Sequence, residues 1–290
     1  MADTLVRFDW AIKRLLRNKV NFVILEGFLS ELLKEDVLIQ EVLESETNRL
    51  SPEDKQNRVD ILVKNSKEEL IIIEVQQNHE SDYFHRMVYA ASKLVTEQMY
   101  SGYKYGEIKH VISINILYFD LGQGKDYIYK GQTQFTGLHS GGLLQLSEAQ
   151  KKIYFKEQAY QIFPEYYIIK VNNFNDVAKD SLDEWIYFLK NSDIKDGFKA
   201  KGILDAKEGL KLLKLTKEER MEYEGFLNVR RIRENEIETA QYLGIEIGGK
   251  QTKNAIASKM IANGYANKEI VELTGLSVEE MIKLRAFKLD

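Results

Sequence analysis

Two runs in the first third of the chain, Arg58-Val59-Asp60-Ile61-Leu62-Val63 and Leu70-Ile71-Ile72-Ile73-Glu74-Val75-Gln76, constrain its fold more than any other feature. Both are rich enough in β-branched apolar residues to be buried strands, yet each carries a carboxylate. The stretch between them, Lys64 to Glu69, is polar and short enough to turn the chain back as a hairpin. A turn centred near Lys67 sets Asp60 opposite Glu74, Arg58 opposite Gln76 and Leu62 opposite Ile72. Strand alternation then places Val59, Ile61, Val63, Ile71, Ile73 and Val75 on one face and leaves both acids with Leu62, Leu70 and Ile72 on the other.

Like charges directly opposite on neighbouring strands destabilise a sheet, by roughly 0.2–1 kcal/mol if the effect mirrors that of favourable pairs. Two arrangements relieve the repulsion. One is a hard divalent cation held by two carboxylates, a backbone carbonyl and waters. The other is an exposed sheet face on which Arg58 and a lysine neutralise two surface acids. Acid-x-Gln is a common string, and the hairpin alone leaves both readings open.

Composition narrows the chemistry. The chain has no cysteine, which excludes disulfides, thiolate nucleophiles and cysteine zinc sites, and its four histidines (His79, His85, His110, His139) lack metal-ligand spacing. Metal chemistry is thereby directed to carboxylates. A formal net charge of −4 over 290 residues argues against indiscriminate adhesion to nucleic acid while leaving room for a local basic groove. No apolar run is long enough to span a bilayer, and the start of the chain mixes charged and apolar residues unlike a signal peptide, so a cytoplasmic, soluble protein is expected.

The length suits one core domain with a smaller appendage. Leu5, Phe8, Ile12, Leu15 and Leu16 fall at helical spacing, and Phe22 to Leu33 reads as a second helix. Val37 to Glu44 is a candidate first strand, and Glu46 to Lys55, with Pro52, a loop before the hairpin. Tyr83, Met87, Ala90, Ala91 and Leu94 predict a helix from Ser81 to Tyr100, broken by Gly102. Val111 to Phe119 alternates Ile112, Ile114 and Ile116 with Ser113 and Asn115, a strand that a helical crossover brings beside the hairpin. Strand-like segments follow at Tyr127–Tyr129, Leu143–Leu146 and Tyr166–Val171. Ser181 to Glu184 and Thr216 to Glu219 read as capping boxes opening helices. Gly244, Gly248 and Gly249 are expected to interrupt the charged helix that begins near Thr216. Residues 1–215 are thus read as a core domain, 216–250 as a charged helical connector and 251–290 as a small helix-turn-helix-like unit, its segments ended by Gly264 and Gly275 and its last opened by Ser277-Val278-Glu279-Glu280. Such a unit can enter a DNA groove or serve as a packing surface.

In the order and spacing of these elements the chain resembles the PD-(D/E)XK nuclease superfamily, and more narrowly the recombination-promoting nuclease and transposase family of bacteria. The likeness rests on Phe8-Asp9 with Ile12-Lys13, Leu25 to Leu33, Val59-Asp60, Ile73-Glu74-Val75-Gln76, Arg86 with Tyr89, and then Gln98, Gly102 and Tyr105. It continues through the Ile112-x-Ile114-x-Ile116 strand and Trp185-Ile186-Tyr187-Phe188-Leu189 to a tail match from Gly264 to Ile270 and from Leu273 to Ser277. The resemblance implies an α/β fold, a restriction-endonuclease-like core with a central mixed sheet flanked by helices, followed by a helical C-terminal region. It also implies a metal-dependent endonuclease acting on DNA and linked to recombination, in which Asp60, Glu74 and the Val75 carbonyl hold Mg²⁺ or Mn²⁺.

Two positions depart from the superfamily signature: Val59 stands for the proline before the first acid, and Gln76 for the lysine. Glutamine cannot carry a charge or act as a base, but it can orient a water. Glu26 lies where related nucleases often supply another acid, but a surface glutamate on an amphipathic helix is the better account of it. Asp9 matches a family position and also suits a helix N-terminus. Arg86 and Lys93, seven apart, share a helix face that could meet DNA phosphates or lie solvated beside Glu97. A catalytically weak DNA-binding or scaffolding protein on the same fold, working through its C-terminal helices, is the competing reading. An RNA-directed nuclease also fits, because the motif addresses the phosphate and not the sugar. A homodimer would let two sites cut a duplex.

Overall fold

In the computed structural model, which describes residues 5–14, 19–43, 60–99 and 104–286, the chain begins with helices α1 (Phe8–Arg14) and α2 (Phe22–Leu33). Strands β1 (Ile39–Leu43), β2 (Ile61–Asn65) and β3 (Leu70–Gln76) follow, then helix α3 (Tyr83–Glu97) and strand β4 (Val111–Leu117). Next come β5 (Ile128–Gly131), α4 (Glu148–Tyr154), β6 (Glu165–Lys170), α5 (Ser181–Asn191) and α6 (Ile203–Gly209). Helices α7 (Lys217–Ala262), α8 (Asn267–Thr274) and α9 (Val278–Ala286) complete it. The expected loop Glu46–Lys55, the positions Leu15, Leu16, Val59 and Gly102, and the pairing of Arg58 with Gln76 lie outside the described residues.

Among the described residues the strands form one mixed sheet in the order β1-β2-β3-β4-β6-β5. The hairpin has the expected register: Leu62 pairs with Ile72 and Ile61 with Ile73, which carries Asp60 opposite Glu74. β4 lies parallel to β3 after the α3 crossover, and β6 lies parallel to β4. Leu62, Leu70 and Ile72 pack with Val111 of β4 against Ala90 and Ala91 of α3, so α3 covers the acid-bearing face. Val63, Ile71, Ile73, Ile114 and Ile116 on the other face are fully buried. On that side the rings of Phe8, Phe28, Trp185 and Phe188 from α1, α2 and α5 meet edge to face, with centroids 5.7 to 6.1 Å apart. At Gly27 of α2 a methyl group would sit 2.2 Å from the Lys201 carbonyl, and only glycine lets the chain at Gly202 (φ 72°) approach that helix.

The chain separates into two compact units at Arg220–Met221. The second has its own small core of Ala257, Ile270, Leu276 and Met281. Gly275 closes α8 in the left-handed conformation, and Ser277 and Glu280 cap α9 reciprocally at 3.0 and 3.1 Å. No described helix is long and apolar enough to cross a membrane.

Three local expectations are corrected. Leu143–Leu146 forms no strand; Leu143 makes a single isolated bridge to Thr136 and, like Leu144, stays exposed, because no sheet face lies there to bury it. Ser181 is the first residue of α5 rather than its cap: the Asp180 carboxylate accepts the Asp183 N–H at 2.9 Å, and the Ser181 hydroxyl donates to Glu31 instead. Gly244, Gly248 and Gly249 do not interrupt α7, which runs through them for 46 residues.

Candidate active site

The end of β3 gathers the candidate residues. Glu74, on the face under α3, is 4% exposed. Asp60 stands just ahead of β2, and its Oδ2 accepts the Val75 N–H at 2.7 Å. Peptide groups alternate sides along a strand. Because the Gln76 carbonyl accepts from Tyr118 on the β4 side (3.0 Å), Val75 turns its N–H and its carbonyl the other way, towards Asp60. The candidate donors, the Asp60 and Glu74 carboxylates and the Val75 carbonyl, thus belong to the start of β2 and the end of β3, at the carboxyl end of a parallel strand, the usual place for a ligand in an open α/β sheet.

All three donors are hard oxygens, which suits Mg²⁺ or Mn²⁺. Among the described residues no group of three or more His, Cys, Asp or Glu side chains could hold a metal ion. A cation here would therefore complete its shell with waters, as Mg²⁺ ordinarily does.

Gln76 and Arg86 meet through a residue for which the sequence offered no periodic or motif signal, Glu80. The Gln76 amide donates to Glu80 Oε1 at 2.6 Å, and Arg86 Nη1 donates to the two Glu80 oxygens at 2.8 and 3.1 Å. The same guanidinium brings Nη2 to 3.4 Å from Glu74 Oε2 and lies over the Tyr83 ring at 5.9 Å. Burial opposes its charge, but Glu74 and Glu80 outweigh that and hold Arg86 above the usual arginine range. Arg86, open by sequence between a phosphate contact and a solvated face, thus stands beside Glu74.

Beneath Glu74 lies a buried polar patch. Asn115, its neighbour on β4, accepts the Tyr83 hydroxyl at 3.1 Å and donates to Ser113 Oγ at 3.0 Å and to the Tyr167 carbonyl at 3.2 Å. Ser113 and Asn115 form the polar side of β4 by sequence, yet α3 covers them and they satisfy one another. Burial, with Glu74 next, pushes the Tyr83 hydroxyl far above the ordinary tyrosine range, so it remains a donor.

The remaining candidates lie apart from this group. Glu26 accepts the Ile39 N–H at 2.7 Å. Ile39 pairs with Asn65 at the turn end of the hairpin, which places Glu26 roughly 15 Å along the strands from Asp60. Asp9, 3% exposed, accepts from Arg7 at 3.1 Å and from the Trp10 N–H at 3.0 Å, and the Gln77 amide reaches it at 2.5 Å. It is therefore joined to the end of β3 through Gln77, the residue after Gln76. Lys93 sits two turns along α3 from Arg86 with its ammonium 5.9 Å from the Tyr89 ring.

A family model described as PD-(D/E)XK nuclease family transposase matches residues 6–240. No match was found among curated proteins or among solved structures.

Proposed function

The chain belongs to the PD-(D/E)XK nuclease family transposases, and from that premise we propose that it is a divalent-metal-dependent DNA endonuclease linked to recombination or mobile elements. The observation that carries the reading is Asp60 accepting the Val75 N–H beside buried Glu74 at the open end of the hairpin. These groups would hold Mg²⁺ or Mn²⁺, which when bound supplies Lewis acidity and a lowered pKa for water. Gln76 orients the attacking water through its amide; it titrates nowhere near neutral pH, so the proton leaves to solvent. Arg86 contributes a permanent positive charge beside Glu74, where the negative charge of a phosphodiester in displacement needs an opposing one. Lys93, further along the same helix, is available to the flanking backbone phosphates.

Purified protein incubated with supercoiled plasmid is expected to nick or linearise it with Mg²⁺ or Mn²⁺ and not with EDTA. Asp60→Ala is expected to reduce the rate by at least about 100-fold, the scale on which loss of one electrostatic stabilising group acts. Cleavage that survives either treatment would overturn the assignment. The separately cored C-terminal helices favour a second reading, a catalytically weak nuclease-fold protein that binds DNA or partners through them. Duplex binding without cleavage would support it, and parallel single-stranded and RNA substrates define the nucleic acid. Cutting both strands calls for two sites, which a homodimer would supply.

A further inference from the structure

We propose that Glu80 is a positioning residue: it sets which end of the Gln76 amide faces the reacting water and holds Arg86 against Glu74. The proposal rests on the nuclease reading above. A carboxylate accepts hydrogen bonds and does not donate them, so the amide atom 2.6 Å from Glu80 is the nitrogen. The same nitrogen lies 3.4 Å from the Asn78 carbonyl, so both amide protons are committed within the protein. The oxygen is left as the end that meets solvent. Gln76 therefore presents an acceptor at the position where a lysine would present a charged donor, and it orients a water by taking a hydrogen bond from it.

The positive charge a lysine would bring comes from elsewhere. Glu80 accepts from Arg86 with both oxygens while the other guanidinium nitrogen lies 3.4 Å from Glu74. The lysine's two contributions, orientation and charge, are divided between Gln76 and Arg86, and one carboxylate fastens both. Glu80 is half-buried and lies in the short connection between β3 and α3, so its position is set by where that helix starts. Without it the amide is free to flip and the guanidinium keeps Glu74 as its ion-pair partner beside the Tyr83 ring, across the very oxygens a cation needs.

The test compares Glu80→Ala, Glu80→Gln, Gln76→Ala and the Glu80→Ala/Gln76→Ala double variant in plasmid cleavage with Mg²⁺. Glu80→Ala is expected to lower kcat by roughly 10- to 100-fold, the usual effect of losing a residue that orients a site, with KM little changed. Glu80→Gln still offers an acceptor and is expected to restore most of the rate. The double variant is expected to lose clearly less than the product of the two single losses, because part of what Glu80 does runs through Gln76 and the rest through Arg86; a merely structural Glu80 would give multiplied losses. A second readout needs no activity. In metal-free protein labelled with ¹⁵N-glutamine, the Gln76 side-chain amide resonance, identified by its absence in Gln76→Ala, is expected to move in Glu80→Ala and to stay near its place in Glu80→Gln. Glu80→Met, of similar volume but without a strong acceptor, replaces Glu80→Ala if that variant does not fold. Wild-type cleavage by Glu80→Ala, multiplied losses, or an amide resonance indifferent to Glu80 would overturn the proposal. If Asp60→Ala cleaves normally, the nuclease reading fails while the resonance still decides what Glu80 does.

Discussion

Asn65 shows how much one side chain can organise. It is 2% exposed at the end of β2, and its Oδ1 accepts the N–H groups of Lys67 at 3.0 Å and Glu69 at 2.9 Å while its amide donates to Glu69 Oε2 at 2.8 Å. Asparagine is suited to this because its side chain can imitate a turn of backbone. The polar segment Lys64–Glu69 was legible as a turn, but not which of its residues would be buried. Burial pushes the Glu69 carboxyl up, yet His110, Asn65 and Lys156 together hold it below the ordinary glutamate value of 4.5. A carboxyl depressed in the folded state contributes stability that is present above its unfolded pKa and lost as pH falls through its folded one. Asn65→Ala is expected to cost about 1–3 kcal/mol in urea unfolding at neutral pH, the range for stranding buried hydrogen-bonding groups. Between about pH 5 and pH 3 the variant is expected to lose less further stability than the wild type, because its Glu69 is less depressed. Equal losses over that window would show that Asn65 does not hold Glu69 down.

Among the elements, α7 departs furthest from its sequence. Gly244, Gly248 and Gly249 suggest a break, but the helix continues through all three. Glycine inside a helix costs only about 1 kcal/mol relative to alanine, so a few of them weaken a helix without ending it. None of the three is required by packing or conformation: a methyl group at each would meet nothing within 4 Å. Gly244→Ala, Gly248→Ala and Gly249→Ala are accordingly expected to stabilise α7 by about 0.5–1 kcal/mol each, seen as increased helical circular dichroism and a higher thermal midpoint. A lowered midpoint would mean that α7 bends or is approached closely at that glycine. Gly27 is the opposite case, since there a backbone carbonyl occupies the space. The capping box at Thr216 and Glu219 was legible because both partners are local, and it forms with bonds of 2.8 and 3.2 Å. Ser181 misled because an aspartate one residue earlier is the better-placed acceptor.

For the molecule as a whole, the two units have separate cores and should answer separately to core damage. Ile270→Ala, at a fully buried position of the C-terminal unit, is expected to destabilise that unit by about 2–5 kcal/mol. The expected signature is a shift of one calorimetric transition with plasmid cleavage unchanged. Reduced cleavage would show that the C-terminal helices take part in holding the substrate, as the second functional reading requires.

The pairing of Asp60 with Glu74 was written in the sequence because a period of two and a short polar turn are local properties. Together they fix the register of a hairpin whatever surrounds it. The succession of helix, hairpin, helix and parallel strand was equally legible, and with it the family. Three relations were not: Glu80 joining Gln76 to Arg86, Asn115 lying buried beneath Glu74, and Gln77 reaching back to Asp9. Nor could the sequence separate Glu26, an acid that serves the start of β1, from one that serves the site. Each depends on where a helix or strand remote in the chain comes to pack, and a side chain's partner across such a contact leaves no mark in the residues beside it.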